Sequence, residues 1–384
     1  MTGTVTKFEL ETRMCSKLVM DTTDPDIKFD TDGVCNYWHE YQVFRSKLPT
    51  SDDRQKRLQQ VLAAIRAAGK NKEYDCVLGI SGGVDSSYMA LLAKENGLRP
   101  LVAHVDNGWN SELAVDNIET ILSALEYDLQ TYVLEWDQFR DLQRSYFKAS
   151  VIDLEVPTDN LIGGCLQRIA VKNGIKWILS GNNHATEWLM PSAWIHSKHD
   201  GVNLRNIHQT FGERKTGKLP VSDVWTGAYY NQIRRLREAK LLNLVEYRKK
   251  EAKRRLIEEL GWRDYGGKHY ESVFTRFYQG YILPMKFNVD KRKAHLSSLI
   301  LTGEITREQA LEELQKPTYD YGAQMRDKEY VAKKLRFTTE AFDDVLSLDN
   351  VPHTKYGTDR LLRARYMKTL RALGRIKRLF LGDR

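Results

Sequence analysis

The stretch "GISGGVDSSYM", residues 79–89, places glycines, hydroxyl groups and one carboxylate directly after the apolar run 76–80. The residues that follow, 88–93, have the composition of a helix. A strand that ends in glycine and serine and then opens a helix gathers backbone N–H groups at the positive end of that helix. Such a nest binds anions, so the sequence predicts a phosphate site here.

Apolar segments alternate with helical patterns around this loop. We predict strands over 75–80, 100–105, 130–134 and 176–180, and helices over 54–68, 86–96, 111–125 and 164–172. This alternation predicts an α/β fold in which a doubly wound parallel sheet is covered by helices on both faces. Ligands of such folds bind at the carboxyl ends of the strands, where the loop lies.

We divide the chain into three parts. Residues 1–52, rich in Asp, Thr and Pro, are predicted as an extension of loops and short strands, and residues 53–250 as the α/β domain. Residues 251–384 are predicted as a helical region with a basic tail. From about Val221 the pattern is helical and includes "YNQIRRLREAKLL", and the stretch "LLNLVEY" (241–247) has the pattern of a last sheet strand. No Gly/Ser linker separates the parts, so we expect the C-terminal region to pack on the sheet domain.

The composition is that of a globular protein of 384 residues, 41% of them apolar. No stretch approaches the roughly 18 apolar residues that a membrane-spanning helix needs, and the first residues lack the pattern of a secretory signal. Four cysteines in a chain of this length do not make a disulfide framework. We therefore expect a cytoplasmic protein.

The net charge of +8 is confined to the C-terminus, because residues 351–384 carry ten Lys or Arg against two Asp. In this tail, apolar residues alternate with Arg and Lys at helical spacing. A helix packed on its own domain, contact with an acidic membrane surface and a surface for a partner protein all remain open. Since the rest of the chain is neutral overall, we expect no nucleic-acid partner.

The loop sequence lacks the lysine of a Walker loop and the spacing of a dinucleotide fingerprint. It resembles the pyrophosphate (PP) loop of the N-type ATP pyrophosphatases, which cleave ATP between the α and β phosphates. The resemblance implies ATP and Mg²⁺ as cofactors, with Asp85 as the Mg²⁺ ligand. The other residues that it assigns to the nucleotide here are Ser81, Gly82, Gly83, Ser86 and Ser87. An ordinary turn between strand and helix is the alternative.

Two further stretches end predicted strands, where the same superfamily holds adenosine and substrate. "HVDNGW" (104–109) contains Asp106, and "LSGNNHATEW" (179–188) contains Gly181 and Asn182, all three assigned to the nucleotide. Asn183 and Glu187 are assigned to the substrate. A plain turn at Gly181 and a solvated Glu187 are the alternatives.

Two longer stretches, residues 20–38 and 266–314, resemble the N-acetyl sugar amidotransferase family of bacterial surface-polysaccharide biosynthesis. The resemblance extends from Cys15 to about Tyr356. It implies conversion of an acetamido group of a nucleotide-activated sugar into an acetamidino group through an O-adenylyl imidate. Lys268, Glu271 and Arg276 are then candidate catalytic residues beside Asp85, and the candidates for the substrate are His269, Lys286, Asp290, Lys291 and Arg292. For each of these residues an ion pair within the protein is the alternative.

The ammonia for such a reaction must come from elsewhere, because Thr2 follows the initiator and no N-terminal cysteine nucleophile exists. Cys165 lies in a helix-like apolar pattern and is expected to be a buried small residue. The resemblance implies a separate glutaminase similar to that of imidazole glycerol phosphate synthase, with a cyclase-like companion.

Members of the family often carry two Cys-x-x-Cys pairs near the N-terminus. The matching positions here are Cys15, Leu18, Cys35 and Trp38. Two thiolates, even with His39 as a third ligand, make a poor zinc site, so we expect a packed cluster in this degenerate zinc-ribbon-like segment. The rival functions are tRNA thiolation, for which Cys76 and Cys165 are a poor redox pair, and a catalytically inactive protein that binds nucleotide and docks a glutaminase.

Overall fold

The computed structural model describes residues 12–215, 217, 219–266 and 270–381, without the side chains of residues 373–381. Within this part of the chain a single sheet contains five strands in the order β3-β2-β1-β4-β5. All neighbouring strands pair in parallel. The strands are β1 (Cys76–Gly79), β2 (Pro100–Asp106), β3 (Leu129–Val133), β4 (Trp177–Leu179) and β5 (Arg237–Ala239).

Helices surround the sheet and make up most of the C-terminal region. Those of the first half are α1 (Asn36–Ser46), α2 (Ser51–Ala68), α3 (Val84–Glu95), α4 (Glu112–Leu125), α5 (Trp136–Ala149), α6 (Val156–Lys172), α7 (His184–Glu187) and α8 (Gly201–Phe211). Those of the second half are α9 (Val224–Ala228), α10 (Lys249–Leu260), α11 (Val273–Phe277), α12 (Leu283–Phe287), α13 (Arg292–Leu301), α14 (Arg307–Gln315), α15 (Tyr321–Lys334), α16 (Thr339–Ser347) and α17 (Arg360–Leu381).

Both faces of the sheet are buried. Cys76 and Leu78 belong to a core shared with α2, α3, α4 and α10. Val77, between them, points to the opposite face and packs with Ile169 and Ala170 of α6. Since successive strand residues alternate in direction, this pattern is that of a doubly wound sheet, and the predicted fold class is confirmed.

The predictions of individual elements fail mainly in and around the last strand. The sheet strand β5 is Arg237–Ala239, so the strand predicted over 241–247 was wrong. The helix predicted over 230–242 is helical up to Ile233, as part of a π-helical turn, and then gives way to β5. Leu241 and Leu242 are buried in a short 3₁₀ turn that packs into the core beside the sheet, which explains their strand-like apolar pattern. α1, α5 and α8 were not predicted, and α6 begins at Val156, eight residues before the predicted start.

The N-terminal segment, the sheet domain and the C-terminal region share one core. Leu18, Trp109 and Phe342 are fully or almost fully buried members of the same apolar cluster. Arg307 in α14 donates hydrogen bonds to the carbonyls of Cys15 (3.0 Å) and Leu18 (3.1 Å). The expectation that the C-terminal region packs on the rest of the protein is confirmed.

Most of the C-terminal basic stretch lies in α17, whose residues 360–372 are exposed except for Leu362, Arg363, Tyr366 and Leu370, which are half-buried. In the part of the chain that the structure describes, no helix combines the length and the apolar character needed to cross a membrane.

Candidate functional site

The candidate site lies at the carboxyl end of β1, where the chain turns into α3 within four residues. The Ser81 amide donates to Ser86 Oγ (3.3 Å), and the two hydroxyl groups lie 3.2 Å apart. The first amides of α3 have no acceptor inside the helix and point into the turn. Hydroxyl groups and amides thus line an anion-binding cradle at a helix N-terminus.

Gly82 is required here by conformation and by space. Its φ is +81°, in the region that favours glycine. A Cβ on it would lie 2.7 Å from the carbonyl oxygen of Ala114 and 2.8 Å from the hydroxyl of Tyr265. A side chain at this position would therefore displace α4 or the segment that carries Tyr265.

Asp85, in the first turn of α3, receives a hydrogen bond at Oδ1 from the hydroxyl of Tyr247. Burial, and then the negative charge of Asp85, raise the pKa of Tyr247 far above its usual range, so the phenol stays protonated and donates. The other carboxylate oxygen meets no donor within the described residues. A carboxylate with one oxygen left unbonded, next to the predicted phosphate site, fits Mg²⁺, which takes one or two carboxylates and completes its shell with phosphates and water.

The two serines of the first helical turn differ in environment. Ser86 Oγ donates to the carbonyl of Gly83 (3.1 Å) and is partly exposed. The Ser87 hydroxyl is fully buried and has no hydrogen-bond partner among the described residues. Ser81 and Ser86 therefore present their hydroxyl groups to the cradle more directly than Ser87 does.

The turn after β2 is held by the C-terminal region. Asp106 Oδ1 accepts a hydrogen bond from the Gly108 amide (2.8 Å). Lys334, at the end of α15, donates to the Gly108 carbonyl, and its ammonium lies 5.0 Å from the ring centre of Trp109 and 5.2 Å from that of Trp136. This turn, assigned to the nucleotide, is thus fixed by a cation–π contact and a charge-assisted hydrogen bond.

The turn after β4 touches the cradle directly. A Cβ on Gly181 would lie 3.2 Å from the Ser86 amide nitrogen, so this turn approaches the first turn of α3. Asn182 is exposed, whereas Asn183 is buried and caps α7 by accepting the Thr186 amide (2.9 Å). Glu187 is exposed at the end of α7. The substrate role of Asn183 stays a prediction, and its carboxamide oxygen already accepts the hydrogen bond that caps α7.

Glu271 is the predicted catalytic residue of the C-terminal region that the structure brings to the loop. A Cβ on Gly83 would lie 3.7 Å from Glu271 Oε1. The backbone fixes this position, because the Ser111 amide donates to the Glu271 carbonyl (2.9 Å) and the Val273 amide to that of Trp109 (3.0 Å). The neighbouring candidates Lys268 and His269 lie outside the described residues.

The remaining candidates have partners within the protein. Arg276 makes a bidentate pair with Asp327 (2.8 Å for both bonds), and Arg292 makes one with Asp290. Lys286 donates to the carbonyls of Leu346 and Leu348, and Lys291 pairs with the carboxylate of Glu155 (3.4 Å). Except for Lys286, which binds carbonyls, these contacts agree with the alternative of internal ion pairs. The roles of all these residues toward a substrate stay predictions.

A second polar cluster, which the sequence did not suggest, surrounds the start of α6. Fully buried Asp153 accepts hydrogen bonds from Lys198 (2.8 Å) and from the His196 amide (2.8 Å). Burial raises the pKa of Asp153, but Lys198 and Lys291 outweigh it and hold that pKa below its usual value. Lys198 also reaches Asp159 (3.0 Å), whose side chain is 44% exposed. These charges form a paired structural network.

The cysteines are buried. Cys15 Sγ accepts hydrogen bonds from the amides of Cys35 (3.1 Å) and Leu18 (3.4 Å), and the thiol of Cys35 lowers the pKa of Cys15 to about 5. Leu18 and Trp38 pack in the same apolar cluster. Burial raises the pKa of Cys165 to about 12, which suits a small core residue. Within the described residues no group of three or more His, Cys, Asp and Glu side chains is arranged to hold a metal ion.

Sequence reasoning missed Tyr247, Trp262 and Tyr265. The first contacts Asp85, and the other two donate to the carbonyl of Gly82. They lie more than 160 residues after the loop, and nothing in their local pattern marks them.

Part of the chain matches a known protein family. Residues 271–371 match the family described as LPS biosynthesis protein WbpG-like, C-terminal domain. No curated protein sequence matches the chain.

Similar solved structures include the NH3-dependent NAD synthetase from Campylobacter jejuni, which is 14% identical, with 73% of this chain and 94% of that chain covered and a TM-score of 0.32. The NMN synthetase from Francisella tularensis is 12% identical, with coverages of 78% and 98% and a TM-score of 0.30. Values this low support no assignment of substrate or mechanism.

Proposed function

We propose that the chain is an ATP-dependent amidotransferase that converts an acetamido group of a nucleotide-activated sugar, such as a UDP-linked diacetamido uronic acid, into an acetamidino group. The observation that supports this proposal is that the Glu271 carboxylate lies close to the loop. The segment similar to LPS biosynthesis proteins begins at this residue, whose carboxylate lies beside Gly83. An acceptor site built by that segment would therefore adjoin the phosphate cradle, and the pathway would be that of O-antigen or another surface polysaccharide.

The proposed reaction has two steps. The acetamido oxygen attacks the α-phosphorus of ATP, the bond between the α and β phosphates breaks, and an O-adenylyl imidate forms as pyrophosphate leaves. Ammonia then adds to the imidate carbon, loses a proton, and the carbon–oxygen bond to AMP breaks to leave the amidine. Mg²⁺ bound to Asp85 would neutralise the charge that develops on the leaving pyrophosphate.

We assign each group of residues a role in this reaction from its position. Amides and hydroxyl groups of the loop hold the pyrophosphate as it gains charge, since donors fixed before the reaction stabilise such charge best. Glu271, whose carboxylate lies beside Gly83 of the loop, would accept the proton that ammonia loses. The ammonia would come from a separate glutaminase, with a cyclase-like subunit as companion, and α17 would provide contact with the inner membrane face or with that partner.

The test is pyrophosphate release from Mg-ATP and ammonium chloride, measured across a panel of UDP- and CMP-linked diacetamido sugars. We expect release with at least one sugar, together with a product lighter by about 1 Da, because NH replaces oxygen. Release with bulk tRNA and with no sugar would overturn the proposal in favour of thiolation. Binding of ATP without any turnover would identify a docking protein instead.

A further inference from the structure

The carbonyl of Gly82 is held by two side chains from a distant segment. Trp262 donates its indole N–H to this oxygen (2.8 Å), and Tyr265 donates its hydroxyl to the same oxygen (2.8 Å). Both residues follow α10, and Trp262 is 1% exposed. Two donors on a single carbonyl, one buried and one half-buried, saturate its two lone pairs.

These two hydrogen bonds determine the direction of the Gly83 N–H, which belongs to the same peptide as the Gly82 carbonyl. In a planar trans peptide, the carbonyl of Gly82 and the N–H of Gly83 point in opposite directions. Because the carbonyl is turned toward Trp262 and Tyr265, the Gly83 N–H is turned away from them and donates a long hydrogen bond (3.4 Å) to Ser81 Oγ, on the side of the cradle. Because residue 82 is glycine, the peptide between it and Gly83 can also adopt the reverse orientation. In that orientation the Gly82 carbonyl oxygen would point into the cradle, where the phosphate is proposed to bind.

We propose that Trp262 and Tyr265 are positioning residues that lock the Gly82–Gly83 peptide in its anion-binding direction before any nucleotide arrives. The inference rests on one part of the proposed function, the assignment of a phosphate to this loop, and is independent of the sugar. It adds to the loop two residues that act through the backbone carbonyl of Gly82.

The segment that carries the two donors is itself anchored. The buried Asn117 of α4 accepts the Arg263 amide (2.8 Å) and donates to the Arg263 carbonyl (2.8 Å). Trp262 and Tyr265 also pack edge to face, with ring centres 5.5 Å apart. Burial raises the pKa of Tyr265 to about 12, so its hydroxyl remains a donor at neutral pH. Both donors are therefore anchored by neighbouring contacts, and the Tyr265 hydroxyl is protonated at neutral pH.

The test uses the full chain and inorganic pyrophosphate as the probe, with binding measured by calorimetry in the presence of Mg²⁺. Tyr265→Phe and Trp262→Phe each remove one donor and keep an aromatic ring. Tyr356→Phe is the matched control, because the Tyr356 hydroxyl donates to another backbone carbonyl, that of Ala149 (3.1 Å). We expect each variant to weaken pyrophosphate binding about three- to tenfold. The melting temperature of Tyr265→Phe should shift no more than that of the control, whereas Trp262→Phe also removes core volume and should melt at a lower temperature.

Equal pyrophosphate affinity in Tyr265→Phe, Tyr356→Phe and the unchanged protein would overturn the lock. So would a loss of affinity that simply follows the loss of stability across the variants. A protein that binds pyrophosphate but modifies no sugar would contradict the proposed function and leave this inference standing. A protein that binds neither pyrophosphate nor Mg-ATP would contradict both.

Discussion

The hydroxyl of Tyr247, eight residues after β5, donates a hydrogen bond to the carboxylate of Asp85 in the first turn of α3. The contact connects the segment after the edge strand β5 with the helix that follows the central strand β1, and it occupies one of the two carboxylate oxygens. A negative charge at this end of a helix is favourable, and the phenol fixes the direction in which that charge is presented.

Replacement of Tyr247 by Phe removes the donor and keeps the ring. We expect the KM for Mg-ATP in pyrophosphate release to rise about three- to tenfold, since a hydrogen bond to a charged group is lost. Tyr74→Phe is the control, because Tyr74 donates to the carboxylate of Asp128 (2.9 Å) on the surface. An unchanged KM in Tyr247→Phe would show that Asp85 is oriented without the phenol.

Replacement of Asp85 by Asn removes the charge from the proposed Mg²⁺ ligand with little change of shape. We expect turnover to fall by about 10²-fold or more while the circular dichroism spectrum stays the same. Asp344→Asn, an exposed carboxylate of α16, should retain full activity. Turnover in Asp85→Asn within a factor of about two of the unchanged protein would exclude the assigned role.

Replacement of Gly181 by Ala tests the approach of the β4 turn to α3. The added methyl group would lie 3.2 Å from the Ser86 amide nitrogen and 3.3 Å from the Asp85 carbonyl carbon. Because both neighbours are backbone atoms, we expect ATP affinity, measured by calorimetry, to fall about tenfold. Gly227→Ala, where a methyl group meets open space, should bind ATP normally, and normal binding by Gly181→Ala would contradict the predicted contact.

The buried His353 makes stability depend on pH. Its Nε2 accepts the Asp153 amide (3.4 Å) and its Nδ1–H donates to Asn203 (2.8 Å). Burial, and then the neighbouring His196, lower its pKa to about 3. Between that value and the ordinary 6.5, the unfolded chain binds a proton that the folded chain does not, so stability falls as the pH falls.

We therefore expect His353 to contribute a loss of about 2 kcal/mol in the free energy of unfolding between pH 7 and pH 5. Urea unfolding at the two pH values measures this loss. His353→Gln is expected to be less stable at pH 7 but to lose about 2 kcal/mol less on acidification. Equal losses in the two proteins would contradict the assigned protonation state.

The fold was predictable where burial is continuous along the chain. Val77 and Leu78 of β1 are fully buried on opposite faces, and such runs identify central strands. β5 was missed because it has three residues at the sheet edge, of which Arg237 and Glu238 are exposed. Its pattern is polar, and the apolar residues next to it belong to a turn.

The site was predictable only as far as it is local. The loop and the turns after β2 and β4 carry their chemistry in short stretches of sequence. Tyr247, Trp262 and Tyr265 act on the loop through tertiary contacts, which single-sequence patterns do not encode. Charged residues of the C-terminal region, such as Arg276 and Arg292, looked like ligands for phosphate, but the fold supplies each with a carboxylate.

The central claim is that the acetamido oxygen attacks ATP and leaves with AMP. The most direct test supplies a nucleotide-activated sugar with ¹⁸O in its acetamido group, Mg-ATP and ammonium chloride, and measures the mass of the AMP formed. The account predicts AMP heavier by about 2 Da in step with amidine formation. Unlabelled AMP, or ADP and phosphate in its place, would contradict the O-adenylyl imidate.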